Sequence, residues 1–160
     1  MISIIMGSDS DLPIMEETAQ QLKAFRIKYE MKILSAHRTP EAVRKYVRNA
    51  EEKGVKIFIA GAGGAAHLPG VIASYTTAPV IGVPLSSELK GLDSLLSIVQ
   101  MPKGVPVATV AIGKAGAINA AILATEILAL EDKEIKKRLL EFRQKMSEDV
   151  LMKSRSLSKS

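Results

Sequence analysis

The chain has 160 residues, 47% of them apolar and 24% charged, with no cysteine and no tryptophan. That is the composition of one globular domain able to bury about two thirds of its unfolded surface. It excludes thiolate catalysis, disulfides and thiolate metal sites, and fits a cytosolic protein. In chain order, Ile2–Met6 opens as a short apolar run that reads as a strand; Met1–Gly7 has no basic segment, so no secretory signal is expected. Further β-rich runs follow at Tyr29–Leu34, Lys56–Ala60, Val80–Val83 and Val107–Ile112. Between them lie helix-length segments at about Leu12–Phe25, Pro40–Lys53, Leu68–Tyr75, Leu92–Val99 and Ala115–Leu130. A sixth helix is expected from Asp132 to about Met152.

Strands this apolar, alternating with helices, predict a parallel sheet covered on both faces. The expected α/β fold is a three-layer αβα sandwich, with a flavodoxin-like five-stranded sheet in the order 2-1-3-4-5 and an extra C-terminal helix. No linker or repeat divides it, so residues 1–152 are expected to form a single domain and residues 153–160 a disordered tail. Val105–Leu130 is apolar, but Pro106, Gly113, Lys114, Gly116 and Glu126 interrupt it before the roughly 20 apolar residues of a membrane span accumulate. The fifth helix has only Asn119, Thr125 and Glu126 as polar residues, so burial on every side is expected. Ala117, Ala120, Ala121 and Ala124 would let a second subunit pack closely there, the alternative being cover by the sixth helix alone.

The +5 net charge belongs to the C-terminal end. Residues 133–160 hold nine Lys/Arg and four Asp/Glu, whereas residues 1–132 hold thirteen of each. A solvated helix face explains this, and three Tyr and three Phe do not supply the stacking platforms of single-strand binding. Neither a nucleic-acid nor a membrane partner is expected.

In a parallel sheet every loop that follows a strand emerges on one edge, and four such loops carry chemistry. Gly7-Ser8-Asp9-Ser10-Asp11 offers a close backbone approach, hydroxyls and helix N–H groups suited to phosphate; Asp11 would repel phosphate but accept from sugar hydroxyls. Ser35-Ala36-His37-Arg38-Thr39-Pro40 places one of only two histidines at a strand's carboxyl end, with Thr39 as N-cap and Pro40 at the first helical position. Histidine is the side chain able to give and take a proton near neutrality, and Arg38 can fork onto a phosphate. Gly61-Ala62-Gly63-Gly64-Ala65-Ala66-His67-Leu68-Pro69-Gly70 has no long side chain before His67, so its peptide groups must do the work. Pro84–Ser94, continued by Ser97–Pro102, is polar and long enough to act as a cover. Gly61-x-Gly63-x-x-Ala66 matches a dinucleotide fingerprint only weakly, following the third strand rather than the first. No Walker A motif occurs, and two histidines without thiols do not make a structural zinc site.

Together Gly7–Asp11, Ser35–Pro40, Gly61–Gly70, Asp93-Ser94-Leu95-Leu96-Ser97-Ile98-Val99-Gln100-Met101-Pro102 and Ala111–Ala120 closely resemble the N5-carboxyaminoimidazole ribonucleotide mutase (PurE) family of purine biosynthesis, over about residues 1–150. The uninterrupted glycine loop resembles the mutase class rather than the class that takes free CO2. The resemblance implies a cytoplasmic homo-octamer with sites at subunit contacts and no cofactor, metal or flavin. It implies His37 as general acid/base, Ser8, Asp11 and Arg38 on a ribonucleotide substrate, and Ser10, Ser35 and Ala36 lining the same site. It gives Gly61, Ala62, Gly63, Gly64, His67 and Leu68 the CO2 and carboxylate pocket. The reaction implied is an isomerisation that moves a carboxyl group from the exocyclic nitrogen to ring carbon 4. The alternatives are direct carboxylation of aminoimidazole ribonucleotide, a related nicotinic-acid-type carboxylase, and ribonucleotide binding without turnover.

Overall fold

The computed structural model describes residues 1–157. Its elements are β1 (Ile2–Met6), α1 (Leu12–Ala24), β2 (Tyr29–Ile33), α2 (Pro40–Glu52), β3 (Ile57–Ala62), α3 (Leu68–Ala73), β4 (Val80–Pro84), α4 (Leu92–Val99), β5 (Ala108–Thr109), α5 (Gly113–Ala129) and α6 (Lys133–Leu157). All strand pairs are parallel, in the order β2-β1-β3-β4-β5, as the alternating pattern predicts. Every residue of β1, β3 and β4 is buried, which is why those strands read as continuous apolar runs. β2, at the edge, is half-buried to exposed.

The helices bury the faces their spacing predicts. α1 turns Met15, Thr18, Ala19 and Leu22 inward, and α2 turns Val43, Val47 and Ala50 inward. Thr18 is polar, but its hydroxyl donates to the Ala117 carbonyl at 2.8 Å, so no buried donor is stranded. Between α2 and the sheet lies a second polar arrangement. The Tyr46 hydroxyl donates to the Glu30 carboxylate at 2.6 Å and lies 2.6 Å from the fully buried Ser3 hydroxyl. Burial, and then the Glu30 carboxylate, push the Tyr46 phenol well above its ordinary range, so it stays a donor. Tyr46→Phe is expected to cost about 1–3 kcal/mol, because the Ser3 hydroxyl loses its partner. Urea denaturation checks this, and an unchanged midpoint contradicts it.

Two compact units are present, Met1–Ala124 and Thr125 onward, the division falling inside α5. In the first, Ala117, Ala120, Ala121 and Ala124 are fully buried, but Ile118 and Ile122 are only half-buried. Within this chain, then, α5 is not buried on every side. In the second unit, Asp132 caps α6 by accepting from the Glu134 and Ile135 N–H groups at 2.9 and 3.0 Å.

Two boundaries differ from expectation. β5 is two residues long rather than spanning Val107–Ile112. It has β4 as its sole neighbour, and by Ile112 the chain has left the sheet to pack over Gly91, whose Cα would carry a Cβ only 2.5 Å from Ile112 Cγ2. At the other end, α6 passes Met152 and continues to Leu157. Residues 153–157 of the expected disordered tail are therefore helical: Lys153 and Arg155 are good helix formers, Arg155 complements the helix dipole in the last turn, and Ser156 donates to the Lys153 carbonyl at 2.7 Å. Residues 158–160 of that tail lie outside the described residues. No described helix is long and apolar enough to cross a membrane.

Candidate active site

β1 is first in sequence but lies between β2 and β3 in the sheet. The chain therefore winds outward from β1 to β2 and then back past it to β3, opening a crevice at the carboxyl ends of these strands. The loops that follow β1, β2 and β3 line a cleft of about 370 Å³ there. Its walls are Gly7, Ser8 and Asp11 from the first loop, Ser35, Ala36, His37 and Arg38 from the second, and Gly63, Ala66 and His67 from the third, flanked by Ala62 at the end of β3 and Leu68 at the start of α3.

The first loop is a 3-10 turn over Asp9–Asp11 capped by Ser8. The Asp11 carboxylate accepts from the Ser8 N–H at 3.1 Å, and the Ser8 hydroxyl donates to Asp9 at 2.9 Å. Burial raises the Asp11 carboxyl above the usual aspartate range, although N–H groups of Ser8 and Gly7 and the Arg38 charge pull the other way. Asp9 is fully exposed and lies below that range, chiefly because the Ser8 hydroxyl donates to it. Two neighbouring carboxyls should thus titrate apart, Asp11 above the ordinary aspartate midpoint and Asp9 below it. Carboxyl-carbon chemical shifts followed against pH check this; coincident midpoints contradict it.

The second loop closes on itself before α2 begins. Thr39 occupies the N-cap position, but its hydroxyl does not cap the helix. It accepts from the Ser35 N–H at 2.9 Å and donates to the Ser35 carbonyl at 3.1 Å. The Ser35 hydroxyl accepts from the Arg38 N–H and Nε at 3.2 and 3.4 Å. Arg38 Nη2 then donates to the Gly7 carbonyl at 2.7 Å. The guanidinium is thereby fixed across the first two loops, and together with Ser8 and Ser35 it also lines an adjoining hollow of about 310 Å³. His37 is exposed, not turned into the core.

The third loop turns tightly: the Ala66 N–H donates to the Gly63 carbonyl at 3.1 Å, with Gly64 and Ala66 at φ +61° and +45°. The left-handed conformation is free for glycine but strained for alanine. It delivers His67 to the start of α3, where its Nδ1 lies 2.6 Å from His37 Nε2. The two rings meet edge-to-face, centroids 4.7 Å apart. Between the facing nitrogens only one proton fits, since one must donate and the other accept.

Ten of the expected site residues thus meet in one cleft: His37, Ser8, Asp11, Arg38, Ser35, Ala36, Ala62, Gly63, His67 and Leu68. Ser10, Gly61 and Gly64 are not among its walls. Ser10 is exposed and its N–H donates to Ser8 and Asp9. Gly61 belongs to β3, where a Cβ would stand 2.4 Å from Met15 Sδ, so glycine is needed there for packing. Gly7 and Ala66, which belong to loops expected to form the site but were not among its individually named residues, also line the cleft. Gly7 had a signal, as the glycine leaving β1; Ala66 had none, since alanine does not announce a left-handed turn. The expected cover also differs: no residue from 84 to 102 lines the cleft. Among the described residues no group of three or more His, Asp or Glu is placed to hold a metal ion.

A family model described as AIR carboxylase matches residues 1–149. The N5-carboxyaminoimidazole ribonucleotide mutase of Pyrococcus abyssi is 62% identical over 146 residues, covering 91% of this chain and 83% of that one. That of Thermotoga maritima is 57% identical over 157 residues, covering 98% and 91% respectively. A crystal structure of Treponema denticola PurE shares the fold with a TM-score of 0.89 at 32% identity, covering 98% of this chain and 97% of that chain. With all three cleft loops inside the matched region, the chain belongs to the AIR carboxylase family.

Proposed function

We infer that the chain converts N5-carboxyaminoimidazole ribonucleotide to 4-carboxy-5-aminoimidazole ribonucleotide, the mutase reaction of purine biosynthesis. Relatives at 57–62% identity bearing that name support it. The observation that carries the assignment to residues is the 2.6 Å approach of His37 and His67 in the cleft shared with Arg38 and the Gly63 loop.

In the mechanism proposed for this site, Arg38 and Ser8 bind the ribotide phosphate and Asp11 accepts from ribose hydroxyls. Ser35 acts through Arg38, holding its guanidinium, while Ala36, Ala62 and Leu68 shape the walls. His37 gives a proton to the carbamate nitrogen. The nitrogen–carboxyl bond breaks, its electron pair staying on nitrogen, and CO2 is released inside the cleft. Ring carbon 4 attacks that CO2 and forms the new carbon–carbon bond. Neutral His37 then takes the proton from carbon 4, so one group serves as acid and then as base. Peptide N–H groups of the third loop steady the moving carboxylate as an oxyanion hole does. Keeping CO2 against the ring supplies an effective molarity that dissolved bicarbonate lacks. The scheme balances without oxidant, reductant or nucleoside triphosphate.

Assembly as a homo-octamer and a cytoplasmic location are parts of the same proposal. The exposed apolar residues Leu92, Leu96 and Val99 support the first: they form a stripe along α4 at 53%, 47% and 53% exposure, a pattern suited to a subunit contact. The absence of cysteine is in keeping with the second. The discriminating assay offers the enzyme the carbamate ribotide, or aminoimidazole ribotide with bicarbonate. Conversion of the first at low bicarbonate is expected; turnover confined to the second would instead make the enzyme a direct carboxylase.

A further inference from the structure

The segment Asp93–Pro102 resembles the family but lines no part of the cleft, and its aspartate and both serines have partners elsewhere. Ser87 donates to the Asp93 carboxylate at 2.6 and 2.7 Å. Ser94 donates to the Leu85 carbonyl at 2.8 Å and is completely buried. Ser97, one helical turn further along the same face of α4, donates to the Ala65 carbonyl. α4 therefore holds two loops at once, the one after β4 through Ser94 and the one after β3 through Ser97.

The second attachment falls where the third loop is least able to hold itself. Ala65 stands between Gly64 and Ala66, both left-handed, and its carbonyl belongs to the peptide plane whose N–H closes the turn onto Gly63. Fixing that oxygen fixes the orientation of the Ala65–Ala66 peptide, and with it the position of Ala66 and His67 on the cleft wall. A hydroxyl on a separate helix, 32 residues away, thus sets the shape of the wall.

We propose that Ser97 is a positioning residue for carboxyl transfer: by holding the Ala65 carbonyl it keeps the Gly63–His67 wall closed around CO2 between the two chemical steps. This rests on the mutase reading above. The test is a partition measurement. Carboxyl-labelled carbamate ribotide is converted in the presence of unlabelled bicarbonate, and the label kept in the carbon-linked product is compared with label lost to the pool. Destabilisation reduces the amount of active enzyme but not this ratio. Ser97→Ala should raise label loss about fivefold, the equilibrium weight of one net hydrogen bond, with the ribotide KM close to wild type. Ser97→Thr keeps a hydroxyl and should restore retention. Ser94→Ala, which frees the other loop, should lower stability yet retain label. Wild-type retention in Ser97→Ala, equal loss in Ser97→Thr, or equal loss in Ser94→Ala would each overturn the proposal. Absence of conversion by the wild-type chain would overturn the mutase reading itself, and is visible before any variant is made.

Discussion

Replacing His37 by asparagine is expected to lower kcat on the order of 10²–10⁴-fold, the weight of a positioned acid/base group, while the ribotide binds within roughly tenfold of wild type. The separation follows from where the residue sits. His37 is exposed at the cleft and meets the His67 ring edge-to-face rather than filling the core, so the fold does not depend on it. Phosphate and ribose are assigned to Arg38, Ser8 and Asp11, which are tied to one another and to Gly7 and Ser35 rather than to His37. Asparagine fills similar space and can hydrogen-bond to His67, but it cannot carry a proton from nitrogen to carbon. Steady-state kinetics and calorimetric titration check the two halves. Turnover near wild type would remove His37 from the chemistry and turn attention to His67, whose Nδ1 is 2.6 Å away.

The second large effect is on stability and has a counter-intuitive sign. Glycine inside a helix normally costs about 1 kcal/mol relative to alanine, so Gly116→Ala in α5 should stabilise on propensity alone. The structure predicts the reverse. A Cβ at Gly116 would lie 1.6 Å from the Ala111 carbonyl oxygen and 2.6 Å from its carbon, both backbone atoms. No rotamer relieves that overlap, so the segment linking β5 to α5 must move. Overpacking of this kind costs about 3 kcal/mol, at the upper end of the usual range. In a protein of this size that lowers Tm by roughly 6–12 °C. Scanning calorimetry reads it, and a raised Tm would show that the segment yields freely.

How much of this was legible in the sequence depends on the range of the interactions. The parallel sheet followed from apolar runs such as Ile2–Met6 and Lys56–Ala60, and the complete burial of the strands they mark, Ile2–Met6 and Ile57–Ala62, made them unmistakable. The three cleft loops were legible because parallel strands deliver their following loops to one edge, and each loop carried unusual residues. Interactions between elements were not legible. His37 and His67 are 30 residues apart and meet because β1 inserts between β2 and β3. The serines of α4 looked like a polar cover, whereas Ser94 and Ser97 face inward and bond two loops. Thr39 looked like a helix cap, and its hydroxyl serves the loop instead. β5 was overestimated because Ile112 is a β-former on chain that has already left the sheet; Val110, just past the strand, still donates its N–H to the Gly82 carbonyl of β4 at 3.1 Å.

One measurement bears most directly on the idea that a single imidazole moves a proton while CO2 stays in place. Carbamate ribotide labelled at the carboxyl carbon is mixed with excess enzyme, without ATP or added metal and with unlabelled bicarbonate present, and the reaction is followed by carbon NMR through one turnover. The label should arrive on ring carbon 4 undiluted with the wild-type chain, and conversion by His37→Asn should be slower by on the order of 10²–10⁴-fold. Label diluted to the level of the solvent pool, or equal conversion by the variant, would contradict the account.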